Sequence, residues 1–194
     1  MLQHVEQDRG QYDTPADVLW VSGACLLVRS AVWKALGGLD ERFFAHMEEI
    51  DLCWRMQLQG WSVSVVPASF VYHIGGGTLP NDSPFKLRLN YRNNLLLLQN
   101  NLAATYKAQH GWSDRKCLRK ADCLIFLRMV LDGFSALLFL ITFRYSSFKA
   151  VIEAHREYRK QKRTPDISAQ GPANVQGLDR RLMVLRYYLG RRTV

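Results

Sequence analysis

Three carboxylates lie within four positions of the chain, at Glu48, Glu49 and Asp51, and large apolar residues stand on both sides of them. The apolar residues that follow have the spacing of a buried helix stripe: Ile50, Leu52, Cys53 and Met56. The carboxylates then fall in the first helical turn, where backbone N–H groups and the helix dipole stabilise negative charge. A carboxylate held ionised beside a cleft can take a proton from an attacking hydroxyl group. The pattern also fits an ordinary acidic helix start, so a catalytic base and a structural helix terminus are both open.

A histidine followed by glycines comes about twenty residues later. Residues 61–66 alternate and residues 69–73 are rich in β-branched and aromatic types, which predicts two extended pieces with His73 at the end of the second. Gly75 and Gly76 begin a glycine triplet, and glycine lets a backbone adopt positive φ and approach a ligand closely. An imidazole beside such a loop is a candidate ligand for a divalent metal or a phosphate. The alternatives are a structural histidine and a glycine run without the spacing of a phosphate-binding loop.

The charge of the chain is divided unevenly along its 194 residues, although the formal net charge is +9. Residues 1–82 hold 5 Lys and Arg against 10 Asp and Glu, whereas residues 83–194 hold 21 against 7. The basic residues flank an apolar segment and are not interleaved with aromatic residues, as stacking on single-stranded nucleic acid would require. We therefore expect no nucleic-acid binding, and we expect the candidate chemistry in the acidic half.

Residues 123–143 are the most hydrophobic part of the chain. Arg128 and Asp132 interrupt this segment one helical turn apart, so that they can pair, and the uncharged run after Asp132 is only 11 residues long. Basic clusters lie on both sides, which suits a helix that lies in, or dips into, an anionic cytoplasmic leaflet. A full span and a buried core helix are the alternatives.

Local signals outline the remaining elements. They predict strands over 18–28 and 61–72, and helices over 30–36, 48–59 and 85–101. The first twenty residues are polar and the cysteines lie among apolar residues without Cys-x-x-Cys spacing, which predicts buried free thiols and a cytoplasmic location. These cysteines are Cys25, Cys53, Cys117 and Cys123.

Five blocks of sequence resemble a known family. They are VSGACLLVRS at 21–30, GGLDERFF at 37–44, EEIDLCWR at 48–55, GW and VP at 60–61 and 66–67, and VYHIGGG at 71–77. In this order and spacing they resemble the acceptor-side half of family 2 inverting glycosyltransferases of the rhamnosyl- and galactofuranosyltransferase type, over roughly residues 18–100. The resemblance implies an α/β chain with part of a GT-A-type fold, followed by a helical, basic, membrane-associating tail.

The resemblance also implies roles for the carboxylates. The family pair that ends in the catalytic base is usually Glu-Asp or Asp-Asp, and here it is Glu48-Glu49. The base then falls on Glu49, with Glu48 and Asp51 as supporting carboxylates. Glutamate keeps the chemistry but lengthens the reach by one methylene group, which matters because catalytic geometry is sensitive at about the 1 Å scale.

Donor-side roles follow from the same resemblance. His73 falls where family members hold Mg²⁺ or Mn²⁺ on the donor diphosphate, and Gly75 and Gly76 belong to the adjoining loop. Arg92, in a stretch that resembles a family Arg-Asn segment, is predicted to face the diphosphate, with a helix-capping or solvated arginine as the alternative. The metal would stabilise the departing nucleotide diphosphate while the base activates the acceptor hydroxyl for in-line attack on the anomeric carbon.

One family feature has no counterpart in this sequence. The resemblance implies a preceding nucleotide-binding half with an Asp-x-Asp metal motif, whereas about seventeen residues precede the first block and the chain contains no Asp-x-Asp. We therefore expect the C-terminal portion of a glycosyltransferase that moves a sugar from a nucleotide-sugar to a glycan or lipid-linked acceptor in surface polysaccharide synthesis, with a separately encoded N-terminal half as a partner. The alternative is a non-catalytic remnant or accessory subunit that binds a partner or the membrane.

These expectations divide the chain into five parts and place it on the inner face of the cytoplasmic membrane. The parts are an irregular N-terminal edge (1–17), the acceptor-side half-domain (18–110), a helical membrane-associating basic region (111–163), a linker (164–179) and a short basic amphipathic end (180–194).

Overall fold

Five α-helices and one small sheet make up the part of the chain that the computed structural model describes, which is residues 7, 9–73, 83–169 and 175. The helices are α1 (Ser30–Leu36), α2 (Glu48–Leu58), α3 (Pro84–His110), α4 (Asp114–Ile141) and α5 (Tyr145–Gln161). The strands are β1 (Ala16–Asp17) and β2 (Ser64–Val65), and short 3₁₀ turns occupy Gly23–Cys25 and Glu41–Phe43. The predicted positions 75–76, 180–194 and most of the linker lie outside the described residues, and the domain boundaries stay predictions.

The sheet is much smaller than the sequence predicts. β1 and β2 pair antiparallel, and the Val18 N–H continues the pairing to the Val63 carbonyl oxygen at 2.8 Å. The predicted strand over 18–28 is wrong, since β1 ends at Asp17 and Gly23–Cys25 form a 3₁₀ turn, and the predicted strand over 61–72 is reduced to Ser64–Val65. Residues 69–73 form no strand that His73 could end. A strand lasts only while a neighbour satisfies its backbone groups, and the described residues offer one short partner. This mostly helical fold is compatible with part of an α/β domain, while its GT-A details stay predictions.

The helix predictions are confirmed in position. α1 matches residues 30–36 and ends at Gly37 and Gly38, whose φ angles of 72° and 70° favour glycine. A Cβ atom on Gly38 would lie 2.9 Å from the Trp33 ring, so the turn has no room for a side chain. Ser83 is the N-cap of α3, and its hydroxyl accepts from the Phe85 N–H. The helix runs nine residues past its predicted end to His110, where Gly111 stops it.

α2 is enclosed by two apolar clusters, which fixes its position. On one side Leu52, Cys53 and Met56 pack with Val32 of α1 and with Val63. The other side packs against α3 in a larger cluster whose buried members include Phe43, Trp54, Leu58, Leu95, Leu96 and Ala103. Because core residues interdigitate at nearly crystalline density, α2 has little freedom to rotate or slide.

α4 buries mainly small residues together with Asp132, and it exposes most of its large apolar side chains. α3, α4 and α5 pack against one another pairwise, and five residues of α4 are buried: Cys117, Ala121, Ile125, Asp132 and Ala136. Ten large apolar side chains of the same helix are exposed: Leu124, Phe126, Leu127, Val130, Leu131, Phe134, Leu137, Leu138, Leu140 and Ile141. By length and composition α4 could cross a membrane, and it is the only such helix among the described residues.

All four cysteines are free, as predicted, but only two are buried. Cys53 and Cys117 lie in the core, whereas Cys25 and Cys123 are exposed. The prediction of four buried thiols is therefore wrong for two of them. Apolar neighbours in sequence do not bury a side chain when, as on α4, the apolar face points away from the core.

Thr105→Val tests the contact between α2 and α3. The Thr105 hydroxyl accepts a hydrogen bond from the Trp54 indole at 3.0 Å and donates one to the Asn101 carbonyl at 2.8 Å, both inside the core. Valine keeps the shape but leaves the buried indole N–H unpaired, so the free energy of unfolding should fall by about 1–3 kcal/mol in urea denaturation. Thr142→Val, at the exposed end of α4, should change it by less than about 0.5 kcal/mol. Equal effects would contradict the buried hydrogen bond.

Candidate functional site

The backbone just before α2 has an unusual conformation. Phe44, His46 and Met47 have φ angles of 62°, 70° and 74°, and Met47 is the N-cap of the helix. Non-glycine residues seldom adopt positive φ, and strained residues of this kind cluster at functional sites where the surrounding structure enforces them. We call residues 43–47 the left-handed loop. It is followed directly by Glu48 and Glu49, the first two residues of α2.

Glu48 and Glu49 present carboxylate oxygens that the fold does not use. The Oε2 atom of each residue is shielded from solvent and has no hydrogen-bond partner among the described residues, and the same holds for Nε2 of His46. Gly23 lies against Glu49, since a Cβ atom there would be 4.0 Å from the Glu49 Oε1. Buried polar groups are normally paired, so three orphaned atoms in one short stretch point to a polar ligand.

The environment of Glu48 favours its protonated form. Burial raises the pKa of Glu48, and the neighbouring charge of Glu49 raises it further, while its backbone N–H and His46 act in the opposite direction. Adjacent carboxylates in different environments can divide the roles of base and hydrogen-bonding partner between them. His46 was not among the predicted site residues, because an isolated histidine before an acidic helix start gives no signal of its own.

Asp51 is fully engaged inside the fold. Its side chain is completely buried and accepts from Arg55 Nε at 2.7 Å and from the amide nitrogens of Asn100 and Asn101, each at 2.9 Å. The structure therefore does not bring Asp51 to Glu48 and Glu49 as a third unpaired carboxylate. It supports α2 from within, and its predicted part in the chemistry stays a prediction.

A second carboxylate, that of the partly buried Asp40, also serves the fold. Burial works to raise the pKa of Asp40, but the hydrogen bonds and charge of Arg42, with help from Asn100, bring it below its ordinary value. Arg42 also reaches the Gln161 carbonyl oxygen at 3.2 Å, so the pair connects the turn before the left-handed loop to the end of α5. No local sequence pattern predicts this long-range contact.

Arg92 points into the protein. Its Nη2 donates to the Phe43 carbonyl at 2.8 Å, its Nε to the side-chain oxygen of Asn93 at 3.0 Å, and its Nη1 to Glu157 of α5 at 3.0 Å. The side chain is buried and all three of these nitrogens are occupied within the fold. Its predicted contact with a diphosphate stays a prediction.

His73 is exposed at the end of a described segment, and Gly75 and Gly76 lie outside the described residues. No group of three or more His, Cys, Asp or Glu that could hold a metal ion occurs within 9–73 or 83–169. The described side chains do not by themselves fit a metal centre, because divalent cations need several converging ligands and His73 would supply one. The predicted Mg²⁺ or Mn²⁺ site therefore stays a prediction.

Comparison with known proteins gives this site a family context. Residues 2–93 match the family model described as "Glycosyltransferase like family 2". The match includes residues 2–17, which the sequence analysis had placed outside the recognised half, so the expectation of a C-terminal half is not confirmed. No solved structure matches the chain.

Two kinds of rhamnosyltransferase are similar to the chain. An N-acetylglucosaminyl-diphospho-decaprenol L-rhamnosyltransferase of Mycobacterium tuberculosis is 32% identical over 99 residues, which are 51% of this chain and 32% of the relative. Rhamnosyltransferase WbbL of Escherichia coli is 38% identical over 61 residues, which are 31% of this chain and 22% of the relative. The chain thus spans about a third or less of the length of these relatives. Together with the family match, they support a family 2 glycosyltransferase and a glycosyl transfer function.

Glu48→Gln should make the protein more stable at neutral pH. Because the folded-state pKa of Glu48 is raised, its ionised form opposes folding above that pKa, and the penalty disappears as the pH falls through it. The gain should be only about 0.5 kcal/mol, since much of the side chain is solvated. Thermal unfolding between pH 7 and pH 4 should show the advantage shrinking as the pH falls.

Glu41→Gln is the matched control, because this carboxylate lies in the preceding turn and is exposed. It should not show the same loss of advantage with falling pH. A Glu48→Gln protein that is less stable than the parent at pH 7 would mean that the ionised Glu48 supports the fold.

Proposed function

We propose that this chain carries the acceptor-side catalytic part of an inverting family 2 glycosyltransferase, which transfers a sugar from a nucleotide-sugar to a glycan or lipid-linked acceptor. The observation that carries the proposal is the pair of unpartnered carboxylate oxygens on Glu48 and Glu49, held at the start of α2 by the left-handed loop. The fold pairs the carboxylates of Asp40 and Asp51 internally. Glu48 and Glu49 are therefore the acids of α2 whose shielded oxygens remain for a ligand.

In this proposal Glu49 is the general base. It takes the proton from an acceptor hydroxyl as that oxygen attacks the anomeric carbon, and the nucleotide diphosphate leaves from the opposite face with inversion. Glu48, whose pKa is raised by burial, holds a second polar group of the acceptor by a hydrogen bond. His46, two residues before Glu48, adds a further shielded polar atom without a partner among the described residues.

The donor nucleotide is held by a nucleotide-binding half, on the same polypeptide or on a separate one. The absence of an Asp-x-Asp motif from the 194 residues supports this part of the proposal. His73, Gly75, Gly76 and Arg92 are the residues that we expect nearest to the donor. A divalent metal, Mg²⁺ or Mn²⁺, belongs to that assembled state.

We also propose that α4 attaches the protein to the inner face of the cytoplasmic membrane, where a lipid-linked acceptor or a growing surface polysaccharide would be met. The similarity to bacterial rhamnosyltransferases, one of them named for a decaprenol-linked substrate, supports a membrane setting. The exposed apolar face of α4 supports it independently, because soluble monomers rarely expose so continuous an apolar surface.

The packing of α4 favours a helix lying in the interface over a helix crossing the bilayer. α5 packs along α4 and exposes charged residues at Lys149, Arg156, Arg159 and Lys160. A perpendicular α4 would carry this charged surface into hydrocarbon, which is costly. An in-plane α4 buries only its apolar face and leaves α5 in water.

Charges within α4 are compatible with the in-plane arrangement. Arg128 pairs with the buried Asp132 at 2.8 Å, and Asp132 also contacts His155 of α5 at 3.2 Å, so these groups lie on the protein side of the helix. Trp112 with Lys116 precedes one end of the apolar face, and Arg144 with Tyr145 follows the other. Aromatic and basic residues at such positions suit the headgroup region.

Glu49→Gln should lower the turnover of the assembled enzyme at least about a hundredfold while leaving nucleotide-sugar binding nearly unchanged, because it removes only the base. The assay would combine the full chain with the nucleotide-binding half and measure transfer from a panel of nucleotide-sugars. Glu49→Asp restores the usual family residue and should retain measurable transfer. Glu41→Gln, at an exposed carboxylate, is the control.

Near-normal turnover of Glu49→Gln would reject Glu49 as the base. No transfer by the assembled wild-type protein from any donor would favour the accessory-subunit alternative. Transfer by the 194-residue chain alone would remove the need for a separate nucleotide-binding half.

Replacing Phe126 and Phe134 by glutamate should strongly weaken binding of the full chain to vesicles of mixed neutral and anionic lipid. The parent protein should bind less at high salt but should not dissociate completely, since salt screens the cationic attraction and leaves apolar burial in place. Thr14→Glu with Ser62→Glu adds the same charge at exposed sites away from α4 and should bind nearly as the parent. Vesicle co-sedimentation measures all three proteins, and complete release of the parent by salt would reject insertion of the apolar face.

A further inference from the structure

The left-handed loop needs support from outside itself. Phe44 has φ 62° and ψ −56°, a combination that L-residues rarely adopt, and His46 and Met47 follow at φ 70° and 74°. Three such residues in four positions do not persist unless other contacts stabilise them. The loop is followed directly by Glu48 and by the candidate base Glu49. The contacts that stabilise the loop therefore also determine where these carboxylates lie.

We propose that Asn93 is a positioning residue, which holds the left-handed loop and thereby sets the positions of His46, Glu48 and Glu49. The catalytic roles of those side chains rest on the proposed function, whereas the positioning of the loop by Asn93 does not. Asn93 lies on α3, is completely buried, and was not among the residues to which the sequence assigned a role.

The hydrogen bonds of Asn93 are directed almost entirely at the loop. Its Nδ2 donates to the carbonyl oxygens of Phe43 at 3.0 Å, Ala45 at 2.7 Å and His46 at 2.7 Å. An amide NH₂ group has two hydrogens, so three acceptors mean that at least one hydrogen is shared. One side chain thus bonds three carbonyls of the loop, and the contacts with Ala45 and His46 are partly buried. The Phe43 carbonyl also accepts from Arg92 and from the Ala45 N–H.

Arg92 fixes the orientation of the Asn93 amide. Its Nε donates to the Asn93 Oδ1 at 3.0 Å, which directs the NH₂ group toward the loop, and its Nη2 donates to the Phe43 carbonyl at 2.8 Å. Glu157 of α5 pairs with Arg92 at 3.0 Å. The loop is therefore held by two consecutive residues of α3, and one of them, Arg92, is itself tied to α5.

Loss of the Asn93 amide should change the site and not only the stability. Without the three hydrogen bonds the loop can relax toward ordinary φ values, which would move His46 and let water reach Glu48. The burial that raises the pKa of Glu48 would then be reduced. A purely structural asparagine would lower the stability of the protein without this local effect.

The test is an NMR titration of the Glu48 side-chain carboxyl in the full chain. Asn93→Ala should move the pKa of Glu48 back toward the ordinary glutamate value. Thr105→Val, which removes a buried hydrogen bond elsewhere on the same helix, should destabilise the protein and leave the Glu48 titration unchanged. An unchanged Glu48 titration in Asn93→Ala, or an equal change in Thr105→Val, would overturn the proposal.

A rescue variant covers the case in which Asn93→Ala does not fold. Phe44 is 74% exposed and makes one edge contact with the Phe85 ring, so Phe44→Gly removes limited packing while it lowers the cost of positive φ at that position. The double variant Asn93→Ala with Phe44→Gly should recover folding and part of the Glu48 pKa shift. If it folds no better than Asn93→Ala and shows no recovery, the loop conformation is not what Asn93 provides, and the proposal falls.

A kinetic measurement separates this proposal from the proposed function. In an assembled enzyme, Asn93→Ala should lower kcat at least about tenfold and change the donor KM less than about twofold, because misplacing a base affects the chemical step. A change confined to the donor KM would overturn the positioning role. If the wild-type assembly transfers no sugar while the Glu48 titration responds as expected, the proposed function fails and the positioning role of Asn93 stands.

Discussion

The buried carboxylate of Asp51 is the constraint on which the arrangement of α1, α2 and α3 depends. A charge that is fully removed from water is tolerated only when paired and hydrogen-bonded, and here Arg55, Asn100 and Asn101 supply those partners. Arg55 also donates to the carbonyls of Leu36 and Gly38 at 2.8 Å each, which joins the end of α1 to α2. Removing one of these partners would leave the buried Asp51 carboxylate with fewer hydrogen bonds inside the core. The packing around α2 is therefore specific as well as tight.

The candidate site lies at the N-terminal end of α2, where polar side chains are no longer paired within the fold. Asp40 and Asp51 are satisfied by arginine and asparagine side chains, whereas Glu48, Glu49 and His46 keep shielded atoms without partners among the described residues. Backbone strain is concentrated in the four residues before α2. Unpaired polar atoms and strain both lower stability, and their coincidence is expected where a protein keeps groups ready for a ligand.

α4 has one side packed against the protein core and another side that exposes a large apolar surface. Its small residues allow close approach to α3 and α5, its Asp132 is paired with Arg128 and His155, and its large apolar residues point outward. The charged surface of α5 limits how deeply such a unit can enter a bilayer. The same packing that stabilises the three helices therefore also determines which surface is left for the membrane.

Features that depend on local order along the chain could be predicted from the sequence alone. Helical periodicity predicted α1 and α2, and the carboxylates at positions 48 and 49 were placed correctly in the first turn of α2. Five ordered blocks indicated the family that the comparisons support.

Tertiary packing determines which polar groups are paired, since it buries Asp51 and Arg92 and leaves an oxygen of Glu48 and of Glu49 without a partner among the described residues. It also limits the described strands to two residues each and leaves Cys25 and Cys123 exposed. Asn93 and His46 gained their importance from contacts made over tens of residues or from backbone φ angles, neither of which a local pattern encodes. Periodicity can say which residues share a face, but only packing decides what that face meets.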